Sequence, residues 1–108
     1  MMTDSELLAR YARNRDQDAL RALLERHAGL IYASALRQVR DPGMAQDVTQ
    51  GVFLVLSAKA SSLLGRMDNL PAWLLVVTRY AAAKALKSRS IRARTGGRTY
   101  ANRIHSKC

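Results

Sequence analysis

Leu70-Pro-Ala-Trp-Leu-Leu-Val-Val-Thr-Arg-Tyr-Ala-Ala-Ala-Lys-Ala-Leu-Lys-Ser-Arg-Ser-Ile-Arg-Ala-Arg94 decides the fold, because it reads as one long helix with an apolar first half and a basic second half. Asn69 or Asp68 suits its N-cap, and Pro71 falls in the first turn, where a missing N–H leaves no helical partner wanting. At ~100° per residue, Leu74, Val77, Ala81 and Ala85 share one stripe with Thr78 at its edge, and this stripe is expected to meet a core. Beside it Trp73, Tyr80, Lys84 and Lys87 point in nearly one direction. Aromatic planes stack on bases and ammonium groups meet phosphates, so that face suits a nucleic acid. Trp73 taken alone fits a core position equally well, since Trp is usually largely buried.

Upstream, period and caps predict three more helices, at about 4–13, 17–39 and 44–60, and therefore an all-α bundle of four. The first has Thr3 or Asp4 as cap and Leu7, Leu8 and Tyr11 inside; Asn14-Arg-Asp16 ends it. The second turns Leu20, Leu23, Leu24, Ile31, Ala35 and Val39 inward, and Gly29 in its middle is a place for a bend. Asp41-Pro42-Gly43 reads as the turn that follows. The third helix buries Met44, Val48, Val52, Val55 and Leu56, while Asp47, Gln50 and Leu54 form a polar face ending in an exposed leucine. Such a face is either plain surface or a protein-docking site. Ser61 to Asn69 is the loop before the long helix, and Gly96-Gly97 closes that helix ahead of a patternless tail, expected to be disordered over 95–108.

A chain of 108 residues makes one domain, placed at 1–94. Residues 1–70 hold nine Lys/Arg against all eight acids, a net charge of +1, whereas residues 71–108 hold nine Lys/Arg and no acid, a net charge of +9. This asymmetry points to a polyanion as partner. Cys108 is the single cysteine and has no internal partner for a disulfide; with no basic-then-apolar leader at the start, a cytoplasmic protein is expected. Its longest apolar run is far short of the ~20 residues of a membrane span. His27, His105 and Cys108 lack carboxylates at metal-ligand spacing, no glycine loop opens a helix after a strand, and no Ser, His and Asp set suggests a triad. Neither a metal, another cofactor nor an enzymatic activity is expected, and His27 reads as structural.

Asp4-Ser-Glu-Leu-Leu-Ala-Arg-Tyr, Ala19-Leu-Arg-Ala-Leu-Leu-Glu-Arg-His, Ala45-Gln-Asp-Val-Thr-Gln-Gly-Val-Phe-Leu and Ala72-Trp-Leu, in that order and followed by a basic helix, resemble region two of a bacterial RNA polymerase sigma factor, closest to the extracytoplasmic-function group. The resemblance covers roughly residues 4–94. It implies that Asp47, Gln50 and Leu54 dock on the β′ clamp helices of the RNA polymerase core. It also implies that the loop Ser61–Asn69, with Arg66, and the long helix, with Trp73, Arg79, Tyr80 and Lys84, take the non-template strand of the minus-ten promoter element. Lys87, Arg89, Arg92 and Arg94 would then be sequence-blind phosphate contacts. The sequence departs from the family pattern at Gly51, commonly acidic, at Val76, often arginine, and at Tyr80, often asparagine. Nothing in it corresponds to the second domain by which these factors read the minus-thirty-five element, so a chain without that domain is expected. Two other readings stand beside a transcription initiation module: a general nucleic-acid-binding module, and a decoy for polymerase or for an anti-sigma factor.

Overall fold

The computed structural model describes residues 2–64 and 69–95, with side chains through Arg89. Four helices follow one another, α1 (Asp4–Asn14), α2 (Gln17–Val39), α3 (Pro42–Leu63) and α4 (Leu70–Thr95), and no strand occurs among the described residues. The all-α reading and the order of elements agree with the sequence. The expected tail over 95–108, apart from Thr95 at the end of α4, lies outside the described residues, as do Arg66 and the side chains of Arg92 and Arg94.

Each helix starts at a polar cap. The Thr3 hydroxyl accepts from Glu6 N–H at 3.1 Å while the Glu6 carboxylate accepts from Thr3 N–H at 2.8 Å, a reciprocal capping box. The Thr3 backbone N–H, then its hydroxyl, hold the Glu6 carboxyl below its ordinary range. A depressed folded-state pKa adds stability above the unfolded value, and that contribution is lost as pH falls through the folded one. Asp16 caps α2 through Asp18 and Ala19 N–H, and Asp41 caps α3 through Gly43 and Met44 N–H. Asn69 Oδ1 accepts from Ala72 N–H at 3.2 Å and starts α4.

Two boundaries differ from expectation. Pro42 and Gly43 form the first turn of α3 rather than a turn before it, because Asp41 supplies the cap and a proline in the first position lacks only an orphan N–H. At the other end α3 continues through Ser61 and Ser62 to Leu63, whose buried side chain extends the core stripe, so the loop to α4 is shorter than predicted. Gly29 does not break α2.

α2 packs against each of the other three helices, and α3 packs against both α1 and α4. Leu23, Ile31 and Ala35 of α2 meet Val52 and Leu56 of α3 and Leu74 of α4 in the one core, all at 1% exposure or less. Phases shift slightly from the sequence reading. α4 buries Leu70, Leu74, Thr78 and Ala82, with Val77, Ala81 and Ala85 only half-buried, so Thr78 is central rather than peripheral. On α3, Ala45, Thr49 and Ala60 are buried, Met44 is half-buried and Val55 is exposed. On α2, Ala19, His27 and Ser34 join the buried set and Leu20 and Leu24 flank it.

The polar residues of the core have partners. Thr49 and Thr78 donate their hydroxyls to Ala45 and Leu74 carbonyls one turn back, at 2.8 and 2.6 Å. His27 Nε2 lies 3.0 Å from Asp4 Oδ2, and Arg26 donates to Asp4 Oδ1 at 2.8 Å, which fixes the start of α1 on α2. The Tyr11 hydroxyl bonds Ser57 of α3 under the Arg15 guanidinium, which covers the Tyr11 ring.

Gly51 tests the balance of these terms. A Cβ at this position meets nothing within 4 Å, so Gly51→Ala removes the helix cost of glycine without a clash and should stabilise the domain by about 1 kcal/mol. Leu74→Ala, which empties a fully buried site, should cost about 2–5 kcal/mol. Chemical denaturation of both variants measures the pair.

Candidate nucleic-acid and protein interfaces

Two exposed faces stand opposite the buried stripes of α3 and α4. On α3 the stripe Ala45, Val48, Val52 and Leu56 turns inward. At ~100° per residue, Asp47, Gln50 and Leu54 then point almost directly away from it. All three are exposed, Leu54 at 71%. The same direction continues through exposed Ala58, which the sequence pattern does not single out, and Ser61, which it places in the loop. Their signal is the helical spacing itself, available for Ala58 within the predicted helix and for Ser61 only once α3 is known to reach Leu63.

On α4 the residues predicted to share a face are arranged unequally. Tyr80 is 75% exposed, and Lys84 and Lys87 are exposed beside it, with Val76 one turn before at 49%. Val76 belongs to this surface although the sequence reading treated it only as a departure from a pattern. Trp73 is half-buried and packs against the core, so its two readings meet in one residue: part of the ring supports the bundle and part remains accessible. Arg79 is exposed but lies ~100° round the helix from Tyr80, on the other flank of the strip. Arg89 does not join the strip either. Its Nη1 lies 3.7 Å from Asp41 Oδ2 at the start of α3.

The two faces meet. A shallow groove between α3 and α4 is lined by Asp47, Val48 and Gly51 on one side and by Ala81, Lys84, Ala85 and Ser88 on the other. Small residues keep it open, and Asp47 and Lys84 place opposite charges on its two walls. The structure thus brings a member of the predicted protein face and a member of the predicted DNA face to one edge. What the arrangement offers chemically is recognition: apolar and aromatic surface, lysines for anions and a carboxylate for cations. No group of three or more His, Cys, Asp or Glu able to hold a metal occurs among the described residues. None of their helices is long and apolar enough to cross a membrane.

Comparison with known proteins gives the family. The sigma-70 region 2 family model matches residues 23–91, which takes in most of α2, all of α3 and most of α4 and leaves α1 outside. The ECF RNA polymerase sigma factor SigK of Mycobacterium sp. strain KMS is 33% identical over 86 residues, covering 80% of this chain and 45% of the relative. SigK of Mycolicibacterium vanbaalenii is 26% identical over 83 residues, covering 77% of this chain and 42% of the relative. The chain therefore spans somewhat less than half the length of these relatives. No solved structure matches it. With the matched segment carrying both faces and the groove between them, the chain belongs to the sigma-70 region 2 family.

Proposed function

We propose that the chain is a transcription initiation module of the sigma-factor type, which joins RNA polymerase core to promoter DNA. Asp47, Gln50 and Leu54 dock on the β′ clamp helices, and α4 takes the non-template strand of the melted minus-ten element. The observation that carries this reading is the groove where Asp47 of one face and Lys84 of the other stand on facing walls: a polymerase seated on α3 leaves the α4 strip beside it, open to a strand. Melting a duplex costs a few kcal/mol per unstacked base, and stacking on an aromatic ring returns about 1–3 kcal/mol per base. Tyr80 is the most exposed ring among the described residues, and Lys84 and Lys87 follow within about 10 Å along the helix for the phosphates. Arg79 adds a cation on the flank of this strip, and the family resemblance assigns Arg66, Arg92 and Arg94 to the same DNA.

In this reading residues 1–94 form the working domain and 95–108 a basic tail, the protein acts in the cytoplasm, it requires no cofactor, and it binds rather than catalyses. An anti-sigma factor is a further partner, for which the exposed α3 face is the natural target. A second reading, a general nucleic-acid-binding module, draws on the net charge of +9 after residue 70; a sequence-blind field of cations needs no polymerase.

Two measurements separate them. Core RNA polymerase should retain the parent protein in a pull-down, while Asp47→Ala, Gln50→Ala and Leu54→Ala, all at exposed positions, should weaken retention without lowering the melting temperature. Absence of retention by the parent rejects the initiation module. On single strands, Tyr80→Ala should cost about 1–3 kcal/mol, a rise in Kd of about 5- to 150-fold, and more on minus-ten-like than on scrambled sequence. Equal affinity of the parent for both strands favours the general module. Trp73→Ala is the poorer probe, since Trp73 also supports the core.

A further inference from the structure

We propose that Asp41 positions the basic end of α4: its carboxylate holds Arg89 against the start of α3 and so withholds one cation from polyanion contact. This rests on the nucleic-acid half of the reading above. The two oxygens of Asp41 serve different helices. Oδ1 accepts from Gly43 N–H at 2.9 Å and Met44 N–H at 3.2 Å, which caps α3. Oδ2 faces Arg89 Nη1 at 3.7 Å, which ties α4 to α3 well beyond Ala82, the last fully buried residue of α4 among those whose side chains are described.

Three observations converge on this assignment. The first turn of α3 carries no acid of its own, so Asp41 is the carboxylate at the positive end of that helix dipole, where its charge is favoured. Arg89 lies about 160° round the helix from Lys87 and about 140° from Lys84, so a strand following Tyr80, Lys84 and Lys87 reaches it only if its side chain leaves Asp41. The side chains of the pair are 53% and 40% exposed, which lets solvent and phosphate compete for Arg89. The contact is therefore a restraint that can be released, and the carboxylate sets how many cations the helix presents.

The division of labour within Asp41 makes the idea testable. Asn keeps the capping oxygen, being as good an N-cap as Asp, but loses the charge. Binding of a labelled, mixed-sequence DNA single strand is measured between about 50 and about 200 mM salt for the parent, Asp41→Asn, Arg89→Gln and the double variant, each with a thermal melt. Asp41→Asn should fold and bind with a log–log salt slope steeper by about 0.7, one added phosphate contact, so that its advantage over the parent grows two- to threefold on going from the higher salt to the lower. Arg89→Gln alone should leave the parent slope unchanged, and in the double variant the steepening should vanish. That non-additivity is what a merely structural cap would not produce. An Asp41→Asn slope equal to the parent's, a double variant as steep as Asp41→Asn, or an Arg89→Gln variant shallower by a full contact would each overturn the proposal. A parent that binds no single strand removes it together with the DNA half of the proposed function, whereas a parent that binds with none of these shifts removes it alone. Asp41→Ser, a second capping substitution, stands in should Asp41→Asn fail to fold.

Discussion

The rotational phase of α4 is the constraint on which the rest depends. Leu70, Leu74, Thr78 and Ala82 recur every fourth residue and are all at 3% exposure or less, and a helix offers only one way to bury such a row. Turning the row inward sends Tyr80 about 200° from Thr78 and therefore outward. A slip of one residue would rotate the whole helix by about 100° and bring Lys84 toward the core. Burying an unpaired ammonium costs several kcal/mol, so the apolar row and the cations on the far side enforce the same register. Thr78 is compatible with the centre of the row because its hydroxyl is spent on the Leu74 carbonyl within the helix, leaving its methyl for the core.

Around that helix, α1 and α2 carry neither candidate face and serve to position the two helices that do. α2 supplies the surface on which α4 and α3 both pack, and α1 is held from two sides, by Asp4 on Arg26 and His27 and by Tyr11 on Ser57. α1 falls outside the segment matched by the family model, yet it buries Leu7, Leu8 and Tyr11 in the common core. Its contribution is to close the α2–α3 side and leave the α3–α4 side open, which is where both candidate faces lie.

How much of this could be read from sequence follows from the range of each interaction. Caps and helix order depend on residues within four of one another: Thr3 and Asn69 are each one of two candidate caps in the sequence, whereas Asp16 reads only as part of the break after the first helix. Asp41-Pro42-Gly43 misled because a proline signals a stop inside a helix but a start in its first turn, and only the cap distinguishes the two. The stripe of α4 was placed about one-tenth of a turn off because Ala81-Ala82-Ala83 gives no hydrophobic contrast among its members; the observed row contains Ala82 and a threonine that sequence reading assigned to the edge. The α3 face and the exposed Tyr80–Lys84–Lys87 strip were legible because spacing alone orders them. Arg89 was not, since its partner Asp41 lies on another helix and no local pattern links the two. For the same reason His27 was legible as structural, but the Asp4 that makes it so was not.

The shared core also limits how the two candidate faces can influence each other. A ligand on either face stabilises the fold that both require, so linkage through unfolding is built in. That route is weak, however. A domain of this size is stable by roughly 5–15 kcal/mol, so its unfolded fraction is below about one in a thousand and a second ligand gains almost nothing from its further suppression. If the proposed partners occupy the two faces, the groove is where they can influence each other, since among the described residues its opposed walls join one face to the other. There the charges are of opposite sign. A cationic partner group that neutralises Asp47 leaves Lys84 with less local competition for phosphate, and a phosphate on Lys84 leaves Asp47 freer to pair with that cation. Each partner therefore improves the field felt by the other, and the effect must diminish with salt because both walls are open to solvent.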